Sequence, residues 1–432
     1  MVIKNFLTGL LVITTPLLWA QPHAEIINDK ETGRIINVLA ADEMRGRKAF
    51  TPEIDKAADF IAAEFKAAGL KPFKNADTFL QEFSLVRPRL VSVNATMDRI
   101  GIDAKNIIVI TCQANLEISE KSGYEKVNIK AGANLQAEAR KCIKANRNML
   151  VMVEKSFANS FGNLSRLKST MFKTSANVFF VLTDTDPKNF NIIAVHTITE
   201  QRMANVVGVL SGKKSNSGKE EEFVIFSGHY DHLGIGRPVN GDSIYNGAND
   251  DAAGITAVIM LAKYFKALNK NERTLVFVAF TAEEVGGYGS QYFSRQMEPK
   301  KIMAMFNIEM IGTESKWGKN SAYITGYEKT NMGEIMAKDL EGTGFTFYPD
   351  PYPQQQLFYR SDNATLARLG VPAHTISTSK MDTEPHYHQL TDHVETLDLQ
   401  NMTAIIKAIA LSAKSIIAGT ASPSRVKQDD IR

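Results

Sequence analysis

Six residues in the second half of the chain have the types and contexts of a reaction centre. His229, Asp250, Glu283, Glu284, Glu309 and His388 follow one another in the settings FSGHYDHLG, YNGANDDAAG, VAFTAEEVGG, MFNIEMIG and EPHYHQLTD. Each stands where an apolar run breaks into a loop. Imidazole nitrogen and carboxylate oxygen, with no thiolate, are the donors of a hydrolytic zinc site that keeps coordination positions open for water and substrate. The set predicts a metallohydrolase.

The local motifs assign expectations within that set. His229 and Asp231 form His-x-Asp; residues two apart in an extended segment face the same way, so Asp231 is expected to accept from the ring nitrogen that does not face the metal. His232 is expected to point elsewhere. The small-residue turn from Gly247 to Gly254 allows close backbone approach, and Asp250 can offer one oxygen to each of two ions ~3.5–4 Å apart. The bland reading is that Asp250 or Asp251 caps the next helix. Glu283 and Glu284 project differently, so one can bind metal while the other stands at water distance as general base. Glu309 and His388 complete the donors, with His386 as a competitor of His388 and Asp392 as the group that would orient it.

Strand-like and helix-like segments alternate from Asn205 onward, with strands expected at 206–210, 223–227, 274–280, 303–308 and 374–378. That order predicts an α/β fold, a doubly wound and mostly parallel sheet flanked by helices. Ligands of such sheets gather beyond the carboxyl ends of the strands, where His229, Glu283, Glu284 and Glu309 would converge. A buried helix is expected over 252–268, and Met402, Ile405, Ile409 and Ile416 mark a last one. Amphipathic helices are expected at 31–41 and 52–68, the second capped by Thr51-Pro52 and stopped by Gly69. Between them and the alternating region, 94–204 carries short β-like runs at 107–111, 149–153 and 178–182, both cysteines and none of the six residues. It reads as a small inserted domain or lid. The expected organisation is 1–20 leader, 21–93 first part of the main domain, 94–204 insert, 205–418 metallohydrolase domain and 419–432 flexible tail.

Composition narrows the class further. The 432 residues are 44% hydrophobic, enough for a full core and more than one folding unit. Fifty Lys and Arg against 47 Asp and Glu leave +3, with no basic stripe among aromatics, so nucleic acid is not an expected partner. Lys4 and the apolar run 6–19, shorter than the ~20 residues of a membrane span, read as a signal peptide cleaved after Ala20, although Leu18 departs from small-x-small. No Cys follows it, so no lipid anchor is indicated, and no later segment is long and apolar enough to cross a bilayer. The chain is expected to be exported, to a periplasm or outside the cell. Cys112 and Cys142 are the only cysteines; a disulfide and two buried thiols stay equally open.

FSGHYDHLG, GANDDAAG, TAEEVGGYGS, NIEMIG, FYRSDNA and HYHQLTD resemble, in order and spacing, the zinc aminopeptidase family that includes the bacterial leucyl aminopeptidases and aminopeptidase Y, with glutamate carboxypeptidase more distant. The likeness covers about 205–418, and DEMRGR and DKAADFIAAEFKAAGLKPF look like the usual N-terminal part. It implies a doubly wound α/β fold, peptide substrates and two zinc ions. His229 and Glu309 would bind one ion, Glu284 and His388 the other, and Asp250 would bridge them. Glu283 would be the base that takes a proton from water and delivers it to the leaving amine, with an aromatic hydroxyl near Tyr359 at the oxyanion. Two departures stand out: Glu309 replaces the usual Asp, and Ser361-Asp362-Asn363 replaces the commoner Ser-Asp-His. Many relatives carry a protease-associated domain where 94–204 lies.

Three alternatives remain within reach of these residues. A glutaminyl cyclase shares the fold but uses one zinc, a transferrin-receptor-type binding module lacks the ligands, and a carboxypeptidase on acidic dipeptides would need pocket arginines.

Overall fold

The computed structural model of the chain describes residues 25–168, 170–214 and 216–431, so the expected leader lies outside the described residues. Its main feature is a twelve-stranded mixed sheet flanked by helices. Four strands at its centre run parallel, in the order Ala373–Ser377, Ile302–Ile308, Phe223–His229, Thr274–Phe280. All are buried on both faces and mostly apolar, as strands covered on both sides tend to be. The fold is α/β as expected, but the sheet is mixed: beyond this centre only Ser321–Ile324 and Thr346–Pro349 pair in parallel. On one flank Ser321–Ile324 runs antiparallel to Ala373–Ser377, and on the other Phe190–Leu210 runs antiparallel to Thr274–Phe280.

Side-chain alternation sorts the centre into two layers. Val224, Phe226, Leu275, Phe277, Ala304 and Phe306 point toward the helices Asp29–Leu39, Pro52–Ala67, Ala253–Leu268 and Leu399–Ser412. Ile225, Val276, Val278 and Met305 point the other way, toward Tyr288–Ser294 and Asn363–Ala367. Phe226 stacks on Phe265, Phe277 and Phe306 with centroids 5.3, 5.6 and 5.0 Å apart.

Two long strands, Leu80–Met97 and Phe190–Leu210, leave the sheet as an antiparallel ribbon. Against its far end packs a separate four-stranded sheet in the order Ile107–Ile110, Val178–Leu182, Met149–Val153, Glu125–Ile129. The helix Leu135–Lys144 covers the other face. The limits expected at 94 and 204 fall inside the ribbon and are not opposite one another: Asn94 pairs with Ile193, and Ala204 with Glu82. Both strands run on through these positions with no turn between the units, so the chain marks no edge there.

One further expectation needs correction, and one alternative left open is decided. The segment after Gly419 is packed, with Val426 buried and the Arg425 guanidinium donating to the carbonyls of Ile302 and Pro299 at 2.6 and 2.8 Å. Cys112 and Cys142 are both free thiols.

Candidate metal centre

The carboxyl ends of the central strands lie side by side, His229 opposite Phe280 and Ser227 opposite Asn307. His229 is the last residue of its strand, Glu309 follows Ile302–Ile308 directly, and Glu283 and Glu284 follow Thr274–Phe280 after a two-residue turn. Asp250 lies in the turn that enters the helix Ala253–Leu268, and His388 in the loop after Ala373–Ser377. Ala282, Met310 and His388 have φ of 57°, 55° and 56°, left-handed backbone of the kind that collects at ligand-holding turns.

These segments bring two donor groups together, His229 with Asp250 and Glu309, and His232 with Asp250 and Glu284. His229 Nε2 lies 3.2 Å from Asp250 Oδ1. His388 Nε2 lies 3.2 Å from Asp250 Oδ2 and 3.3 Å from Glu284 Oε1. Donors held about 2.0 Å from a tetrahedral ion are separated by about 3.3 Å, the edge of that tetrahedron. The two oxygens of Asp250 therefore face two different histidines at ligand spacing. Among the described residues, the buried Glu309 Oε2 has no hydrogen-bond partner, an orphaned state that a cation would relieve, and His229 Nε2 meets only the Asp250 carboxylate. The donor set suits zinc.

Sequence reasoning misplaced several neighbours. His232 was expected to point away; it is fully buried, with Nδ1 2.9 Å from Glu284 Oε1 and 3.8 Å from Asp250 Oδ2. The strand ends at His229, so odd-even alternation stops applying beyond it. The ring of His229 contacts the Asp231 backbone carbonyl at 3.0 Å, while the carboxylate stands 3.9 Å off. Asp231 instead accepts from the backbone N–H groups of Glu283 and Glu284 at 3.0 and 3.2 Å, fixing the loop that carries them. Asp392 does not orient His388; it accepts from the N–H groups of Asn249 and Asp250 at 2.8 and 3.0 Å. Asp251 caps the helix through Gly254 N–H at 3.0 Å and also accepts from His229 and Met310 N–H. His386 bonds Thr391 in an exposed position. Tyr359 packs in an apolar cluster, whereas Tyr387 stacks on His388 at 4.0 Å and lines a small cavity with Glu309, Arg360 and Ser361.

Arg47, in the segment DEMRGR, holds the backbone of the same region. Fully buried, it donates to the carbonyls of Tyr230 at 2.8 Å, Leu39 and Asn246 at 2.6 Å and Gly247 at 2.9 Å. Its charge faces the carboxylates of Asp392, Asp250, Asp231 and Asp251.

Crowded acids shape the electrostatics. Burial pushes Glu283 well above the usual carboxylate range, and the charges of Asp362, Glu309 and Glu284 push the same way. Burial likewise raises Asp231 and Glu309 to about 7 and Asp362 to about 6. Hydrogen bonds to Asp250 and Glu284 push His388 up to about 10. A site that favours positive charge this strongly is built for cations.

Fold and site together describe an α/β domain with a cluster of carboxylates and histidines at the strand ends whose donor set suits a cation. Residues 205–413 match the model of Peptidase family M28. The "Probable leucine aminopeptidase" of Arthroderma benhamiae is 29% identical over 195 residues, 43% of this chain and 51% of that protein. "Aminopeptidase YwaD" of Bacillus subtilis is 22% identical over 245 residues, 55% of this chain and 50% of that protein. The chain thus spans about half the length of the curated relatives it matches. Among solved structures, the aminopeptidase from Aneurinibacillus sp. strain AM-1 superposes with a TM-score of 0.54 at 17% identity, covering 95% of this chain and 98% of that one. A zinc aminopeptidase from Bacillus subtilis gives 0.55 at 16%, covering 94% and 98%. At these identities the likeness establishes the fold.

Proposed function

We propose that the protein is a zinc aminopeptidase that releases N-terminal residues from peptides, using two zinc ions. The observation that carries the reading is Asp250, whose two oxygens each lie 3.2 Å from the Nε2 of a different histidine. His229, Asp250 and Glu309 would hold one ion, and Asp250, Glu284 and His388 the other. Zinc bound there supplies Lewis acidity toward water and the scissile carbonyl.

The chain's own groups do the rest. Glu283, fixed through its N–H by Asp231, takes a proton from the attacking water and returns it to the leaving amine; its raised proton affinity suits the exchange. The carboxylates around the centre attract the substrate's α-ammonium. The Tyr387 hydroxyl, beside His388, is better placed than Tyr359 to donate to the developing oxyanion. Glu309 in place of Asp lengthens that arm by one methylene, and its second oxygen remains available to metal.

We also infer that the four-stranded unit is an inserted lid domain, on the strength of its own sheet and its two apolar layers. Export is inferred from the apolar leader. No helix among the described residues is long and apolar enough to cross a membrane. The activity is tested by aminoacyl-anilides with zinc-loaded protein. Release of aniline that stops on chelation and returns with zinc supports the reading, and no release with any anilide rejects it.

A further inference from the structure

The loop after the two glutamates opens into a second feature that the metal centre does not use. Gly286 and Tyr288, together with Gln291 and Arg295 of the following helix, form one wall of a cleft of about 840 Å³. The opposite wall belongs to the four-stranded unit, where Arg140 and Lys144 lie one helical turn apart on Leu135–Lys144. The Tyr288 hydroxyl donates to the Thr170 carbonyl at 2.6 Å and ties the two walls together. A neighbouring cleft of about 570 Å³ shares Arg140, Thr170 and Tyr288 and reaches Val285, the residue next to Glu284.

The charge of this cleft is one-sided. Its lining contains Arg140, Lys144, Lys173 and Arg295 and no Asp or Glu. Lys173 is paired with Glu200 at 2.9 Å, and Arg295 lies over the Phe172 ring at 4.3 Å, which holds its guanidinium at the wall and leaves the charge facing the space. The metal centre, a few residues away along the same loop, is crowded with carboxylates. Negative groups at one end and positive groups at the other match a peptide whose amine enters the centre and whose carboxylates follow.

We propose that this cleft binds the downstream part of the substrate, and that it selects short or acidic peptides by pairing their carboxylates with Arg140, Lys144 and Arg295. The proposal rests on the aminopeptidase reading for the direction in which the peptide lies. A free α-carboxylate and an acidic side chain offer the same chemistry, so both sources are tested. The lid unit then contributes to specificity as well as cover.

The test uses the full zinc-loaded chain and peptides that share one N-terminal residue. The compared substrates are a C-terminal amide with Gln downstream, the same peptide as a free acid, the amide with Glu, the amide with Lys, and the aminoacyl-anilide, which has no downstream residues. Two or three exposed ion pairs predict a kcat/KM advantage of about three- to tenfold for the acid or Glu peptide over the Gln amide, expressed mainly in KM and lost at high salt. Whichever arm gains identifies the source of the carboxylate. In the Arg140→Glu/Lys144→Glu variant the preference should disappear or reverse toward the Lys peptide while anilide hydrolysis is unchanged. A milder Arg140→Ser/Lys144→Ser pair serves if charge reversal disturbs folding. Anilide hydrolysis with equal rates on all four peptides, or a preference that survives both variants, overturns the cleft assignment alone. An inert anilide overturns the aminopeptidase reading and the cleft assignment with it.

Discussion

Glu283 and Glu284 are chain neighbours to which the proposal gives opposite work. Glu284 shares the ligand cage of His388, whereas Glu283 stands among carboxylates that raise its proton affinity. Glu283→Gln is therefore expected to lower kcat by roughly 10²–10⁴-fold, the usual worth of a general base, with zinc content unchanged. Glu284→Gln and His388→Ala should lose zinc as well, and metal analysis of the three variants separates the roles; zinc loss in Glu283→Gln alone would reverse them. Arg47 predicts a different failure. Arg47→Met leaves the buried carbonyls of Tyr230, Leu39 and Asn246 unpaired at about 1–3 kcal/mol each, while Gly247 keeps the Ala252 N–H, so it should both destabilise the fold and weaken zinc retention, read by denaturant unfolding and competition with a chelator. The six central residues were legible because metal chemistry restricts donor types and each lay at the end of an apolar run. The helix cap at Asp251 was also among the readings, whereas His232, Tyr387 and the clamping roles of Asp231 and Asp392 were not legible, since they depend on where loops turn back rather than on residue type.

Elements show the same division between pattern and long-range pairing. The central strands and their helices announced themselves by apolar runs and caps. The ribbon Leu80–Met97 with Phe190–Leu210 did not, because its pairing joins residues about a hundred positions apart and leaves no local period. Phe226 tests the sheet's helix-facing layer. Phe226→Ala should cost about 3–5 kcal/mol, since three stacked rings and the helices around them cannot all move into the space. His374, in the strand Ala373–Ser377, tests its electrostatics. Its Nδ1–H donates to the Thr325 carbonyl and its Nε2 accepts from Thr330, an arrangement that needs a neutral ring, and burial lowers its pKa to about 4. The unfolded chain takes up the proton first, so this contribution is full above about pH 6.5 and falls away toward about pH 4, about 3 kcal/mol in all. A His374→Gln variant should show a flatter loss of unfolding free energy over that interval.

At the scale of the whole molecule, the account joins a carboxylate-rich centre at the strand ends to a cation-lined cleft under the four-stranded unit. The order of motifs along 205–413 made the domain's family legible, but the join between the units was hidden inside two uninterrupted strands. An aminopeptidase must recognise a free α-ammonium beside the ions, and the surplus of carboxylates is what would bind it. Acetylation removes that charge and adds bulk at the same point. The most direct measurement is kcat/KM of the zinc-loaded protein for one peptide with its amine free and the same peptide acetylated. The account predicts a preference of at least about tenfold for the free amine, and equal rates or faster hydrolysis of the blocked peptide would contradict it.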